Sequence, residues 1–219
     1  MARLILWPGL AADERMYRRV GECGWQLVTP RLPVPRAEED LSAYARRCAA
    51  ELAVTADDWV GGCSFGAMVA AQIAQQQRVG GVVLLAGALD SSTLASAARW
   101  LGRLPWLLPI SWLRRFFASD FNLQRFFGEQ DVEGYALARD MLEDTPDALL
   151  HYGGRMAVSQ PTMAPLGVPV FALHGAEDQV MGPPAQGNCR IVGQAGHGLV
   201  YSHAEEVTNF LRDLQAQLG

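Results

Sequence analysis

Trp59-Val60-Gly61-Gly62-Cys63-Ser64-Phe65-Gly66-Ala67-Met68-Val69-Ala70 decides the fold. The short apolar run at Trp59 and Val60 predicts a buried strand, the apolar residues Ala67 to Ala74 predict a helix, and Gly62 to Gly66 between them read G-x-S-x-G. A serine hydroxyl is a poor nucleophile at its own pKa. Holding it on a sharp strand-to-helix turn exposes its Oγ to a base and to backbone donors. Gly62 and Gly66 suit such a turn, because a larger side chain at either would press on the neighbouring strand or the first helical turn. The competing reading, a serine packed in a tight turn, is weighed against what the rest of the chain supplies.

Two later segments supply partners. The apolar run Val170 to Leu173 leads into His174-Gly175-Ala176-Glu177-Asp178-Gln179-Val180, which sets a carboxylate just beyond a predicted strand. Gln194-Ala195-Gly196-His197-Gly198 then places a histidine in a small-residue loop ahead of an amphipathic helix, Ala204 to Leu218. With its nucleophile, acid and histidine in that order, the chain resembles the α/β-hydrolase superfamily, with matching motifs from Leu4 to Leu218.

The resemblance implies catalysis by Ser64, with His197 as its base and Asp178 as the acid that orients the imidazole. It also implies an oxyanion hole made by the backbone N–H groups of Phe65 and Leu10. Many members carry His-Gly where this chain has Trp7-Pro8-Gly9-Leu10, so Ala11 competes with Leu10 for the second donor. Glu177 and Asp90, the latter following the apolar run Val82 to Leu85, compete with Asp178 for the acid. An aspartate nucleophile, as in epoxide hydrolases and dehalogenases, is excluded by the serine at position 64.

Composition narrows the chemistry further. The 219 residues suit one α/β domain with an inserted cap, and a net charge of −5 argues against a nucleic-acid partner. All 18 basic side chains are arginine, which rules out Schiff-base lysines, a P-loop lysine and a Ser-Lys dyad. Cys23, Cys48, Cys63 and Cys189 lack C-x-x-C spacing and read as reduced thiols, with Cys63 a packing residue. Neither a cofactor nor a metal site is expected: His151, His174 and His203 have no partner at ligand spacing. Asp13 and Glu14 read as the start of a helix. The N-terminal apolar run is too short for a signal peptide, and arginines interrupt the best candidate membrane span. A cytoplasmic location is therefore expected.

Six apolar runs, Leu4 to Trp7, Gln26 to Thr29, Trp59 to Gly62, Val82 to Leu85, Val170 to Leu173 and Arg190 to Val192, alternate with helical patterns at Leu41 to Ala53, Phe65 to Gln76 and Ala204 to Leu218. That predicts an α/β fold: a parallel sheet of about six buried strands with helices on both faces, trimmed by two strands relative to the usual eight of the superfamily. The interval from Leu85 to Val170 is too long for one crossover. The core is therefore assigned to residues 1–90 and 161–219, and a helical cap, or lid, to 91–160.

The cap is rich in aromatic and aliphatic residues, among them Trp100, Trp106, Trp112, Phe116 and Phe117, and carries Arg99, Arg103, Arg114 and Arg115 with no acid before Asp120. Most of these rings read as packing between lid and sheet. A pocket walled by such rings suits small to medium acyl groups, so the expected activity is that of a serine carboxylesterase acting on a small-molecule ester or thioester. The arginines leave room for an acidic acyl carrier protein as partner. The histidine loop and the start of the last helix, Ser202-His203-Ala204-Glu205-Glu206, are similar to the pimeloyl-carrier-protein methyl ester esterases. A lyase or C-C hydrolase, and a non-catalytic receptor, remain open on the same residues.

Overall fold

The computed structural model describes residues 2–101 and 109–218. Arg103, Leu104, Trp106, Leu107 and Leu108 of the expected lid lie outside the described residues.

In β1 (Arg3–Trp7), Leu4 and Leu6 enter one core cluster and Ile5 and Trp7 the other. A strand whose successive side chains meet apolar cover on opposite faces must read as an unbroken apolar run. The same division recurs in β3 (Trp59–Ser64) and β4 (Gly81–Gly87), where Val60, Val82 and Leu84 face one cluster and Val83 and Leu85 the other. Helices α1 (Leu41–Glu51) and α2 (Phe65–Gln76) cover the first face, and α9 (Ala204–Leu218) covers the second. With β2 (Gln26–Val28), β5 (Val170–Gly175) and β6 (Asn188–Val192), the strands form a six-stranded parallel sheet in the order β2-β1-β3-β4-β5-β6.

Two expectations need correction. The strands were all expected to be buried, but β2 and β6 form the sheet edges, where one side has no neighbouring strand, and their residues are exposed or half-buried. Helix α1 stops at Glu51 rather than Ala53, because Ala53 turns into the left-handed region at φ 47° and ends the ladder. Its start is set by Asp40, whose Oδ1 accepts from the Ala43 N–H at 2.7 Å.

Between β4 and β5 the chain forms α3 (Ser96–Leu101), α4 (Ile110–Phe117), α5 (Asp120–Phe127), α6 (Val132–Asp144), a π-helical turn (Leu149–Gly153) and α7 (Gly154–Ser159). A short helix, α8 (Leu199–Ser202), precedes α9. Helix α6 is clipped to the segment after β1 by ion pairs: Arg15 with Asp144 at 2.6 Å, and Arg19 with Asp131 at 2.7 Å and Glu133 at 2.8 Å. The Arg19 guanidinium also lies 3.9 Å above the Tyr201 ring centroid. No helix among the described residues is long and apolar enough to cross a membrane.

Candidate active site

The turn from β3 into α2 is built around one strained residue. The register with β4 shifts between Cys63 and Ser64, and Ser64 adopts φ 53° and ψ −117°. A non-glycine residue in that region costs roughly 1–3 kcal/mol, which the surrounding packing must offset. A serine at a helix N-cap usually turns its Oγ back to an amide of the first turn. Ser64 makes no such bond and lines a cavity instead.

The two flanking glycines are there for lack of space, as expected. A Cβ on Gly66 would sit 2.2 Å from the Trp7 carbonyl oxygen, and one on Gly62 would sit 2.4 Å from the same oxygen and 2.7 Å from the carbonyl carbon of Gly66. The Trp7 carbonyl is itself held by the buried Tyr17 hydroxyl, which donates to it at 2.8 Å. Beyond it the chain turns tightly: the Ala12 N–H donates to the Gly9 carbonyl at 3.2 Å, with Ala11 at φ 64°. This turn brings Leu10 and Ala11 to the same cavity as Ser64 and Phe65.

Asp178 and His197 meet across two loops. His197 Nδ1 donates to Asp178 Oδ2 at 2.8 Å, and the two side chains are 6% and 1% exposed. In the neutral imidazole this leaves the Nε2 lone pair as the base. Asp178 Oδ1 accepts from the amides of Val180 at 2.8 Å and Met181 at 3.1 Å. Burial opposes the Asp178 anion, but the attraction and hydrogen bond of His197, with those two amides, hold its carboxyl below the ordinary value. His197 lines the cavity that Ser64 lines, with no hydrogen bond between the two side chains in the structure. Such contacts commonly tighten only when substrate is bound.

The rival acids are accounted for elsewhere. Asp90 caps the turn Ser91–Thr93, accepting from the Ser92 amide at 2.8 Å and from the Met163 amide at 2.7 Å. Glu177 is exposed. Asp13 caps the 3₁₀ turn Glu14–Tyr17, as its sequence context predicted. His203 pairs with the neighbouring Ser202 hydroxyl at 2.9 Å. Cys63 is buried, and burial followed by the nearby Asp178 charge pushes its thiol well up, which disfavours the thiolate.

The cavity has a volume of about 270 Å³. Its walls include Phe117, Phe126 and Phe127 from the inserted helices, Leu137 and Met141 from α6, and Met68 from α2. The expected role of the cap rings is thus only partly right. Trp100 and Trp112 are 68% and 67% exposed and neither packs onto the sheet nor lines the cavity, because they lie on the outer faces of α3 and α4. Arg114 does not offer a free cation either. Its guanidinium donates to the carbonyls of Leu142, Glu143 and Thr145 at the end of α6 and to Asp147 Oδ1 at 2.7 Å. It closes a helix C-terminus, where a cation opposes the dipole.

Sequence reasoning missed Phe127 and Gly128. The Gly198 N–H donates to the Phe127 carbonyl at 2.8 Å, and the Phe127 ring centroid lies 6.4 Å from that of His197. The inserted helices thereby hold the histidine loop directly. A glycine closing α5 at φ 80° was the one available signal, and it marks a helix end without saying what the end touches.

The model of the alpha/beta hydrolase family matches residues 4–210. The chain belongs to that family. Among solved structures, this α/β-hydrolase is similar to a thermophilic esterase from Thermogutta terrifontis, with 19% identity and a TM-score of 0.80 over 99% of this chain and 90% of that one. It is also similar to MenH from S. aureus, with 15% identity and a TM-score of 0.74 over 97% and 94% of the two chains. An enol-lactonase from Burkholderia xenovorans LB400 matches at 16% identity and a TM-score of 0.74 over 99% and 92%. No curated protein matches this sequence. At these identities the likeness shows the fold, and the family supports a hydrolase.

Proposed function

We propose that this α/β-hydrolase is a serine esterase that cleaves carboxylic esters or thioesters of small to medium acyl groups through an acyl-enzyme. The observation that carries this reading is the buried Asp178–His197 hydrogen bond beside a strained, uncapped Ser64 on one apolar cavity. Ser64 Oγ attacks the acyl carbon while His197 Nε2 takes its proton, and Asp178 holds the tautomer and stabilises the imidazolium. The tetrahedral oxyanion is received by the Phe65 N–H at the start of α2, where the helix dipole adds to it, and by the Leu10 N–H. His197 then protonates the leaving group, and water resolves the acyl-enzyme by the same route in reverse.

Residues 91–160 act as the lid that walls the acyl pocket, a reading supported by the inserted-helix side chains along it. A largely apolar cavity of about 270 Å³ suits a small to medium acyl chain. Docking of an acidic carrier protein is not part of this reading, and of the cap arginines Arg114 is committed to the end of α6.

The test is steady-state hydrolysis of p-nitrophenyl esters from acetate to laurate, run beside Ser64→Ala. Turnover with an optimum at short or medium chains, abolished in Ser64→Ala, is expected. A folded protein whose turnover survives that substitution, or shows none, sinks the proposal.

A further inference from the structure

The strand that leads to Asp178 carries a second buried histidine at its penultimate position. His174, in β5, has a side chain 2% exposed, and its Nε2 lies 3.0 Å from the Met181 carbonyl oxygen. A carbonyl only accepts, so Nε2 carries the proton and Nδ1 is bare. That Nδ1 is buried without a hydrogen-bond partner. The Nε2 is also 3.6 Å from Asp178 Oδ2. This is too long for a hydrogen bond, but it sets the positive end of an N–H dipole against the carboxylate oxygen that serves His197.

Packing alone does not account for this residue. A buried polar atom left unpaired costs about 1–3 kcal/mol, which an apolar side chain of similar size avoids. The surroundings of Asp178 show what the imidazole supplies. Oδ1 is fixed by the amides of Val180 and Met181, whereas Oδ2 has the His197 Nδ1–H at 2.8 Å and the His174 Nε2 at 3.6 Å. Met181, whose carbonyl accepts from the His174 Nε2–H, is pinned to the segment following β4. It bridges Leu94, and its neighbours bond there too: the Ala95 N–H donates to the Val180 carbonyl at 2.9 Å, and the Gly182 N–H to the Thr93 carbonyl at 2.8 Å.

We propose that His174 is a positioning residue for Asp178: held on the fixed Met181 carbonyl, its Nε2–H lies against the same carboxylate oxygen that the His197 Nδ1–H meets and keeps Oδ2 aimed at the imidazole. The inference rests on the reading of Asp178 and His197 given above. Burial outweighs the attraction of Asp178 and the Met181 bond, lowers the His174 pKa and favours the neutral ring that this role needs. The ionisable groups around it are Asp178, His197 and, through Asp178, the Cys63 thiol. A neutral donor suits the place: it stabilises the anion without competing for it as a second imidazolium would.

The experiment compares wild type, His174→Leu and His174→Gln with p-nitrophenyl butyrate, and records ¹⁵N-histidine spectra of each on a Ser64→Ala background. Leucine removes the N–H, whereas glutamine restores one at about the position of Nε2. Complete loss of the acid's function in such a site costs about 10⁴ in turnover, so a loosened acid should cost a small part of that, about tenfold in kcat with KM within twofold. Glutamine should recover most of it. The spectra should show His174 as the neutral Nε2–H tautomer, and the His197 Nδ1–H proton should move upfield in His174→Leu and return in His174→Gln. A His174→Leu enzyme with wild-type kcat, equal impairment by both variants, or an Nδ1–H tautomer for His174 overturns the inference. If wild type shows no Ser64-dependent turnover, the esterase reading fails separately. The tautomer and the His197 proton then still decide whether His174 holds Asp178.

Discussion

Gly196→Ala tests whether the inserted helices position the histidine. A Cβ at Gly196 would lie 2.7 Å from the Gly128 Cα and 2.9 Å from both the Gly128 nitrogen and the Phe127 carbonyl oxygen. Non-bonded carbons rest at about 3.5–4.0 Å, so the two backbones must separate by close to 1 Å. All three obstacles are backbone atoms, and no rotamer change relieves them. Overpacking of this kind costs about 1–3 kcal/mol, which in a domain of this length lowers Tm by about 2–12 °C. The catalytic cost should be larger than the stability cost, because a 1 Å misplacement of a reacting group is worth about 10² in rate. The matched control is Gly193→Ala, three residues earlier in the same loop, where an added Cβ meets nothing within 4 Å. Both variants are assayed for kcat with p-nitrophenyl butyrate and for Tm by circular dichroism. Gly196→Ala is expected to lose about a hundredfold in kcat while remaining folded at 25 °C, and Gly193→Ala to behave as wild type. Wild-type turnover in Gly196→Ala would refute the claim that Phe127 and Gly128 hold His197 in place.

Other substitutions separate the carboxylates and the strained turns. Asp178→Asn should lower kcat by about 10⁴ by favouring the wrong imidazole tautomer. Asp90→Asn should instead cost about 1–3 kcal/mol of stability, read by urea unfolding, with kcat little changed. Ala11 holds φ 64° in the turn after β1, so Ala11→Gly should relieve left-handed strain of about 1–2 kcal/mol. The added freedom of the unfolded chain, about 0.4–1 kcal/mol, offsets part of that, and a Tm rise of a few degrees at most is expected by calorimetry. Asp58 is held at about 2, chiefly by its hydrogen bonds from Arg3 at 2.6 Å and 2.5 Å, against an ordinary 3.8. Its folded-state pKa is depressed, so the stability it contributes is complete above about pH 4 and disappears as pH falls from there through 2. Asp58→Asn should therefore flatten the loss of Tm across that window, and an unchanged slope would contradict it.

How much of this was legible in the sequence depends on the range of the interaction. The strands and α2 could be read because a parallel sheet covered on both faces forces unbroken apolar runs, and α2 runs from Phe65 to Gln76 as its pattern required. The sequence singles out Ser64 where a strand ends between glycines, and Asp178 and His197 in the loops after two later strands, and the structure places Ser64 and His197 on one cavity with Asp178 bonded to His197. The edges could not. An apolar run such as Arg190 to Val192 does not say that its strand will lie last in the sheet, which is a property of strand order. Nor does the sequence say which way a helix of eight residues faces. In α4, Leu113 and Phe117 turn toward the cavity while Trp112 and Phe116 are exposed, and both pairs are equally apolar on paper.

The choice between Asp178 and Asp90 shows where local reading gives way to geometry. Both follow a strand, and both carry buried carboxylates that accept backbone amides. They differ in what the second oxygen meets. Asp90 gives one oxygen to the amide two residues on and the other to the Met163 amide, so both ends close on backbone. Asp178 gives Oδ1 to the amides two and three residues on, and that asymmetric turn leaves Oδ2 to the imidazoles, His197 at 2.8 Å and His174 at 3.6 Å. A carboxylate satisfied wholly by amides fixes structure. One that keeps an oxygen for an imidazole can stabilise the charge that forms when that imidazole takes a proton.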